Sequence, residues 1–112
     1  MANTFKVVNF AAEPASAGTP YVMYTAGSGV TTVVLGLILT NIHTAQVTAT
    51  VRLVSDTANG TSLIASGVPI PVGSSLEIMA GNKVILETTD QITIDCSVAD
   101  KLSGTLSIME IS

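Results

Sequence analysis

The chain has 112 residues, one domain's worth, and can bury a core without help from a metal or a disulfide. Only 11% of its residues are charged, against about 25% in an ordinary soluble domain, while 47% are hydrophobic. Its net charge is −4, and the basic residues Lys6, Arg52, Lys83 and Lys101 are scattered; this excludes the clustered cations that release counterions from a nucleic-acid backbone.

The first residues lack a basic start followed by an apolar segment, so no signal peptide is expected and synthesis in a cytoplasm is. The longest apolar run, residues 33–39, falls far short of the roughly 20 residues that span a bilayer, so no membrane partner is expected. Residues 5–10 read as a short strand. Residues 11–20 hold Pro14 and Pro20 among small residues and read as a loop or an extended arm. The expected division is therefore a strand or arm over residues 1–20 and a β-sandwich over residues 21–112. On that reading, removing residues 1–20 leaves the fold intact and weakens assembly.

Residues 21–25 form a short aromatic-rich strand, closed by the turn Ala26-Gly27-Ser28-Gly29. Residues 30–41 give the strongest strand signal. They are apolar at both parities, which predicts a central strand covered on each side, with Gly36 marking a bulge or a close backbone approach. Val47, Ala49, Val51 and Leu53 alternate with Thr48, Thr50 and Arg52, a half-buried strand. Asn59-Gly60 predicts a hairpin with a return strand over residues 63–68. Asn59-Gly60-Thr61 also spells a glycosylation sequon, but without a secretory signal the turn reading is preferred. Pro69 and Pro71 restrict the next segment to a crossover or a sheet edge. Further strands are expected over residues 76–79, 83–87, 92–98 and 102–111. The fold class is all-β, an antiparallel β-sandwich or jelly roll of roughly seven to nine short strands.

Nothing in the sequence assembles into a reactive site. His43 is the one histidine and lies in a predicted turn without a partner nucleophile. Cys96 is the one cysteine, which forbids an intramolecular disulfide, and its place in the alternation Ile92, Ile94, Cys96, Val98 predicts a buried, inert thiol. One cysteine and one histidine cannot make a structural zinc site. Glu87 and Asp90 flank one turn and Asp95 and Asp100 lie near the next; all four are expected to be solvated groups of turns and strand faces, Asp95 opposite Ile94 and Cys96. No calcium-loop or phosphate-loop spacing occurs. Tyr21 and Tyr24 are the candidate sugar-stacking rings, a thin basis for a carbohydrate-binding module in a chain without tryptophan. The expectation is a protein that is no enzyme, with no catalytic, metal or cofactor residue and no cofactor.

The missing charge points elsewhere. From residue 14 to residue 51 there is no Asp, Glu, Lys or Arg. A solitary subunit charges its surface for solubility and to block edge pairing, so this surface is expected to be covered by neighbouring subunits. The candidate interface is the uncharged stretch over residues 21–39 with the arm before it, represented by Tyr21, Met23, Tyr24, Val34 and Ile38.

Three segments carry a resemblance. Residues 70–87, from Ile70-Pro71-Val72-Gly73 through Leu76-Glu77-Ile78-Met79-Ala80-Gly81-Asn82 to Val84-Ile85-Leu86-Glu87, resemble small virion structural proteins of tailed bacteriophages, particularly those of marine cyanobacteria. Val22-Met23-Tyr24-Thr25-Ala26-Gly27 and the ending Leu106-Ser107-Ile108-Met109-Glu110-Ile111-Ser112 are similar too. The resemblance spans roughly residues 21–112 and is one of strands and turns, with no catalytic signature. It implies a β-sandwich part of a virion that binds itself as a homo-oligomer and binds other virion proteins such as a major capsid protein. A capsid decoration (cement) protein and a tail, neck or fibre attachment module both satisfy it, and the sequence does not choose between dimer and trimer.

Overall fold

The computed structural model describes residues 3–55, 60–78 and 84–112. Among them are nine strands: β1 Asn3–Glu13, β2 Tyr21–Thr25, β3 Thr31–Asn41, β4 Val47–Val54, β5 Thr61–Ile70, β6 Ser75–Ile78, β7 Val84–Leu86, β8 Gln91–Cys96 and β9 Leu102–Ile111. They form two antiparallel sheets. The first has the order β1-β9-β3-β6, with β7 pairing the same edge of β3 further along; the second has the order β2-β8-β4-β5. The chain changes sheet at every connection except the β4–β5 hairpin and the β6-to-β7 step, which is the jelly-roll winding. The protein is all-β, its longest dimension is 45 Å, and the inner faces of its two sheets enclose the core.

Period-two patterning explains the elements. In β4, Val47, Ala49 and Val51 point inward at 1%, 1% and 0% exposure, while Thr48, Thr50 and Arg52 face out. In β8, Ile92, Ile94 and Cys96 enter the core, and Cys96 is 1% exposed. β3 departs from strict alternation. Its register with β9 shifts between Val34 and Gly36, so the inward set runs Thr32, Val34, then Leu37, Leu39 and Asn41. The extra residue is a β-bulge at the expected glycine. This bulge accounts for part of the two-parity apolar run, because the core face changes parity at its middle.

β5, which contains Pro69, is the edge of its sheet, where a missing backbone donor costs least. The expected turn residue Asn59, the turn at residues 80–82 and Lys83 lie outside the described residues. Gly60 takes a φ of +81°.

Within residues 1–20, expected as a strand or arm ahead of the sandwich, residues 3–13 are a full strand of it. β1 pairs with β9 continuously from Asn3 opposite Ile111 to Phe10 opposite Gly104, and Phe10 is a core residue. Residues 14–20 cross to the second sheet and are tied down on the way. Pro14 is buried, its carbonyl accepts from the Asp100 amide at 2.8 Å, and the Gly18 amide donates to the Cys96 carbonyl at 2.9 Å. A segment with those bonds satisfied within the chain is a connection, not a free arm.

Candidate functional site

The polar side chains do structural work. Asn41 is 3% exposed and uses its whole amide: Nδ2 donates to the carbonyls of Ala45 at 3.0 Å and Ile70 at 2.9 Å, and Oδ1 accepts from the His43 amide at 2.7 Å. His43 thus belongs to an Asx turn. Asp90, expected at the solvent, is 3% exposed; it accepts from Ser55 Oγ and from the Glu87 amide, both at 3.1 Å, and shapes the turn after β7. Asp95 is likewise not solvated. It lies opposite Ile94 and Cys96 as expected, but β8 is flanked by β2 and β4, and Arg52 Nη1 folds over it to bond Oδ2 at 2.5 Å. Among the described residues, no three of His, Cys, Asp and Glu gather as metal ligands would. A cleft of about 290 Å³ is lined by the uncharged Thr25, Val54, Thr89 and Gln91, with no acid–base pair to offer.

The first sheet admits polar groups to its inner side at one end. Across β1, β9, β3 and β7, the last inward-facing row is Thr4, Glu110, Thr32 and Leu86. Glu110 holds a network there: Lys6 Nζ lies 2.9 Å from Oε1, and the Tyr24 hydroxyl, reaching from the second sheet, donates to Oε2 at 2.5 Å. Because the Tyr24 proton is committed to Glu110, the Thr32 hydroxyl is the donor in its 2.9 Å bond with Tyr24. The ammonium of Lys6 and then the Tyr24 hydroxyl hold the Glu110 carboxyl below its usual range, while burial and the Glu110 bond push Tyr24 up to about 12.

The signs follow from linkage. The contribution of Glu110 is present above the unfolded carboxylate value and lost as the pH falls through its lowered folded value. That of Tyr24 is present below the unfolded phenol value and lost as the pH rises towards 12. The groups are partly exposed, so each effect is held to under about 1 kcal/mol. In an ultraviolet titration, one tyrosine of the native protein is expected to ionise near pH 12, and Tyr24→Phe to remove that step. A native protein with no tyrosine ionising so late would contradict the network.

The outward row at the same end is Phe5, Met109, Val33 and Ile85, aligned across four strands. Phe5 is 72% exposed and Ile85 58%. Val7, Leu35 and Ile111 flank the row, and Ile38 continues it along β3. Among the described residues Glu77, on the β6 edge opposite Ile38, is the one ionic group at an outward position of this sheet. The outward face of the second sheet is different in kind, carrying Thr48, Thr50 and the Arg52–Asp95 pair.

Of the sequence-derived interface residues, Met23 and Val34 are in the core at 5% and 0% exposure, because their parity faces the opposite sheet. Tyr21 packs its ring on Phe10 at a centroid distance of 5.3 Å, and Tyr24 is half-buried in the Glu110 network. Ile38, 44% exposed, is on the apolar outward face. Phe5, Val7, Ile85, Met109 and Ile111 escaped the sequence reading. The signal was present in β9, whose outward positions run Ser103, Thr105 and Ser107 and then switch to Met109 and Ile111.

No protein-family model matches the chain, and no characterised protein matches it by sequence. Solved structures match it by fold. A protein of the Bacillus endospore appendages, a family of disulfide-linked pili, aligns over 99% of this chain and 87% of its own, with a TM-score of 0.57 and 15% identity. VP2 of the infectious bursal disease virus subviral particle aligns over 96% of this chain and 32% of its own, with a TM-score of 0.48 and 14% identity. Eiger TNF from S. frugiperda aligns over 96% and 93%, with a TM-score of 0.48 and 10% identity.

Proposed function

We propose that this chain is a structural subunit of a virion, a capsid decoration protein that stabilises the head lattice through subunit contacts. The observation that carries the reading is the outward face of the β1-β9-β3-β7 sheet, apolar over several aligned positions in a chain that spends few charges anywhere. Such a face costs solubility in a free monomer and gains free energy when a neighbouring surface covers it. The resemblance of residues 21–112 to phage virion proteins supplies the setting, and among the described residues the polar clusters hold turns and strand pairs.

A second reading is an appendage subunit in a tail, neck or fibre, favoured by the fold likeness to the Bacillus pili over almost the whole chain. Those pili are disulfide-linked. Here the single Cys96 is 1% exposed, and one buried thiol cannot link a subunit to two neighbours. Growth by covalent links of that kind is therefore not open to this chain.

Imaging of the particle tests the proposal. Hundreds of copies spread over the head support decoration, a small number confined to the tail favours the second reading, and absence from purified particles overturns both.

A further inference from the structure

We propose that the apolar outward face of the β1-β9-β3-β7 sheet packs against the same face of a second copy of this chain, across a two-fold axis. The inference rests on the assembly reading above and names the partner of that surface.

The first support is the mixed polarity at one end of the sheet. Glu110, Thr32 and Lys6 occupy inward positions there, while Phe5, Met109, Val33 and Ile85 occupy the outward ones. A sheet in water on one side carries its apolar set inward. At this end apolar residues stand outward as well as inward, where Val34, Leu86 and Ile108 are buried, which suits a sheet with a second sheet stacked on its outer side.

The second support is area. Strands of 11, 10, 11 and 3 residues at about 3.3 Å per residue, lying abreast at about 4.8 Å, give a face of about 550 Å². Two such faces bury about 1,100 Å² together, above the roughly 1,000 Å² that a specific interface needs. Aligned sheets pack face to face about 10 Å apart, so two flat faces of this kind can interdigitate their outward side chains.

The third support is charge. A face whose one described ionic position is Glu77, at its edge, offers nothing to a basic or acidic partner. Its complement is another uncharged face with an apolar row, and among the described residues the one such sheet face is this face itself. An isologous pairing uses it twice and closes at the dimer.

Sedimentation velocity of the isolated protein across the micromolar range tests this, with circular dichroism confirming the fold of each variant. The expected result is a dimer, with Phe5→Glu and Ile85→Glu each weakening the pairing by at least about 100-fold, since a two-fold axis brings every new carboxylate in as a pair. Both positions are exposed in the subunit, so the fold should survive. Leu63→Glu, 56% exposed on the other sheet, should leave the dimer unchanged. A wild-type monomer, a trimer, or a dimer indifferent to Phe5→Glu and Ile85→Glu would each overturn the pairing. A monomer that still decorates purified heads would remove this inference alone and leave the decoration reading standing.

Discussion

Removal of residues 1–13 is expected to abolish cooperative folding. The deletion takes away β1, with its ladder to β9 and with Phe10, 8% exposed in the core. Loss of a buried phenylalanine costs about 3–5 kcal/mol by itself. The ladder adds several hydrogen bonds at a net ~0.5–1.5 kcal/mol each. Together these are comparable with the whole stability of a domain this size, about 5–15 kcal/mol. The truncated chain would also turn β9 into an edge strand whose inward Leu106 loses the cover of Val8 and whose amides lack partners. The expected readouts are insoluble expression, or a soluble chain with no cooperative thermal transition by circular dichroism. A melt within a few degrees of the full chain would show that β1 is dispensable, and the sandwich would then have to be redrawn without it.

That expectation reverses the one drawn from residues 11–20, and the reason is physical. Proline and small residues signal a break in regular structure, and there is one, since residues 14–20 form no strand. Composition does not say what lies on the far side of a break. The strand ahead of it reads ambiguously because Phe5 and Val7 share one parity while Val8 and Phe10 share the other. Only pairing with β9 settles which parity is core. β4 and β8 were legible because one parity was apolar and the other was Thr, Asp or Arg. The bulge at Gly36 was legible because glycine inside a β-branched run has few other uses. The candidate surface was not: β3 was recognised as apolar on both faces, but its outward neighbours Met109, Ile85 and Phe5 come from three strands far apart in sequence. Asp90 and Asp95 were misjudged because burial of a carboxylate depends on partners, here Ser55 and Arg52, that periodicity does not reveal.

The substitution Gly104→Ala should destabilise the fold by about 2 kcal/mol, contrary to the usual gain from replacing a strand glycine. Gly104 faces Phe10 directly in the β1–β9 register, and the aromatic ring lies over the bare backbone. A β-carbon there would sit 2.4 Å from Phe10 Cε2 and 2.6 Å from Cζ, with Leu39 Cδ2 at 3.1 Å behind. Real contacts of that length do not occur, so the ring must move. It has little freedom, because its neighbour Tyr21 meets it edge-on at 63° and the surrounding core is closed. For a domain of this size the expected fall in Tm is about 10 °C. The cause can be separated from a general intolerance of side chains in β9. Phe10→Leu on its own should cost about 1 kcal/mol or more, since it loses ring contacts with Tyr21. In the Gly104→Ala background the same change should cost less than that, or stabilise, because it relieves the clash. The double-mutant cycle is therefore expected to show coupling of about 1 kcal/mol or more. Additive effects would mean that the ring of Phe10 does not rest on Gly104. The seating of β1 on β9, on which the outward row of Phe5 and Met109 depends, would then be wrong in register.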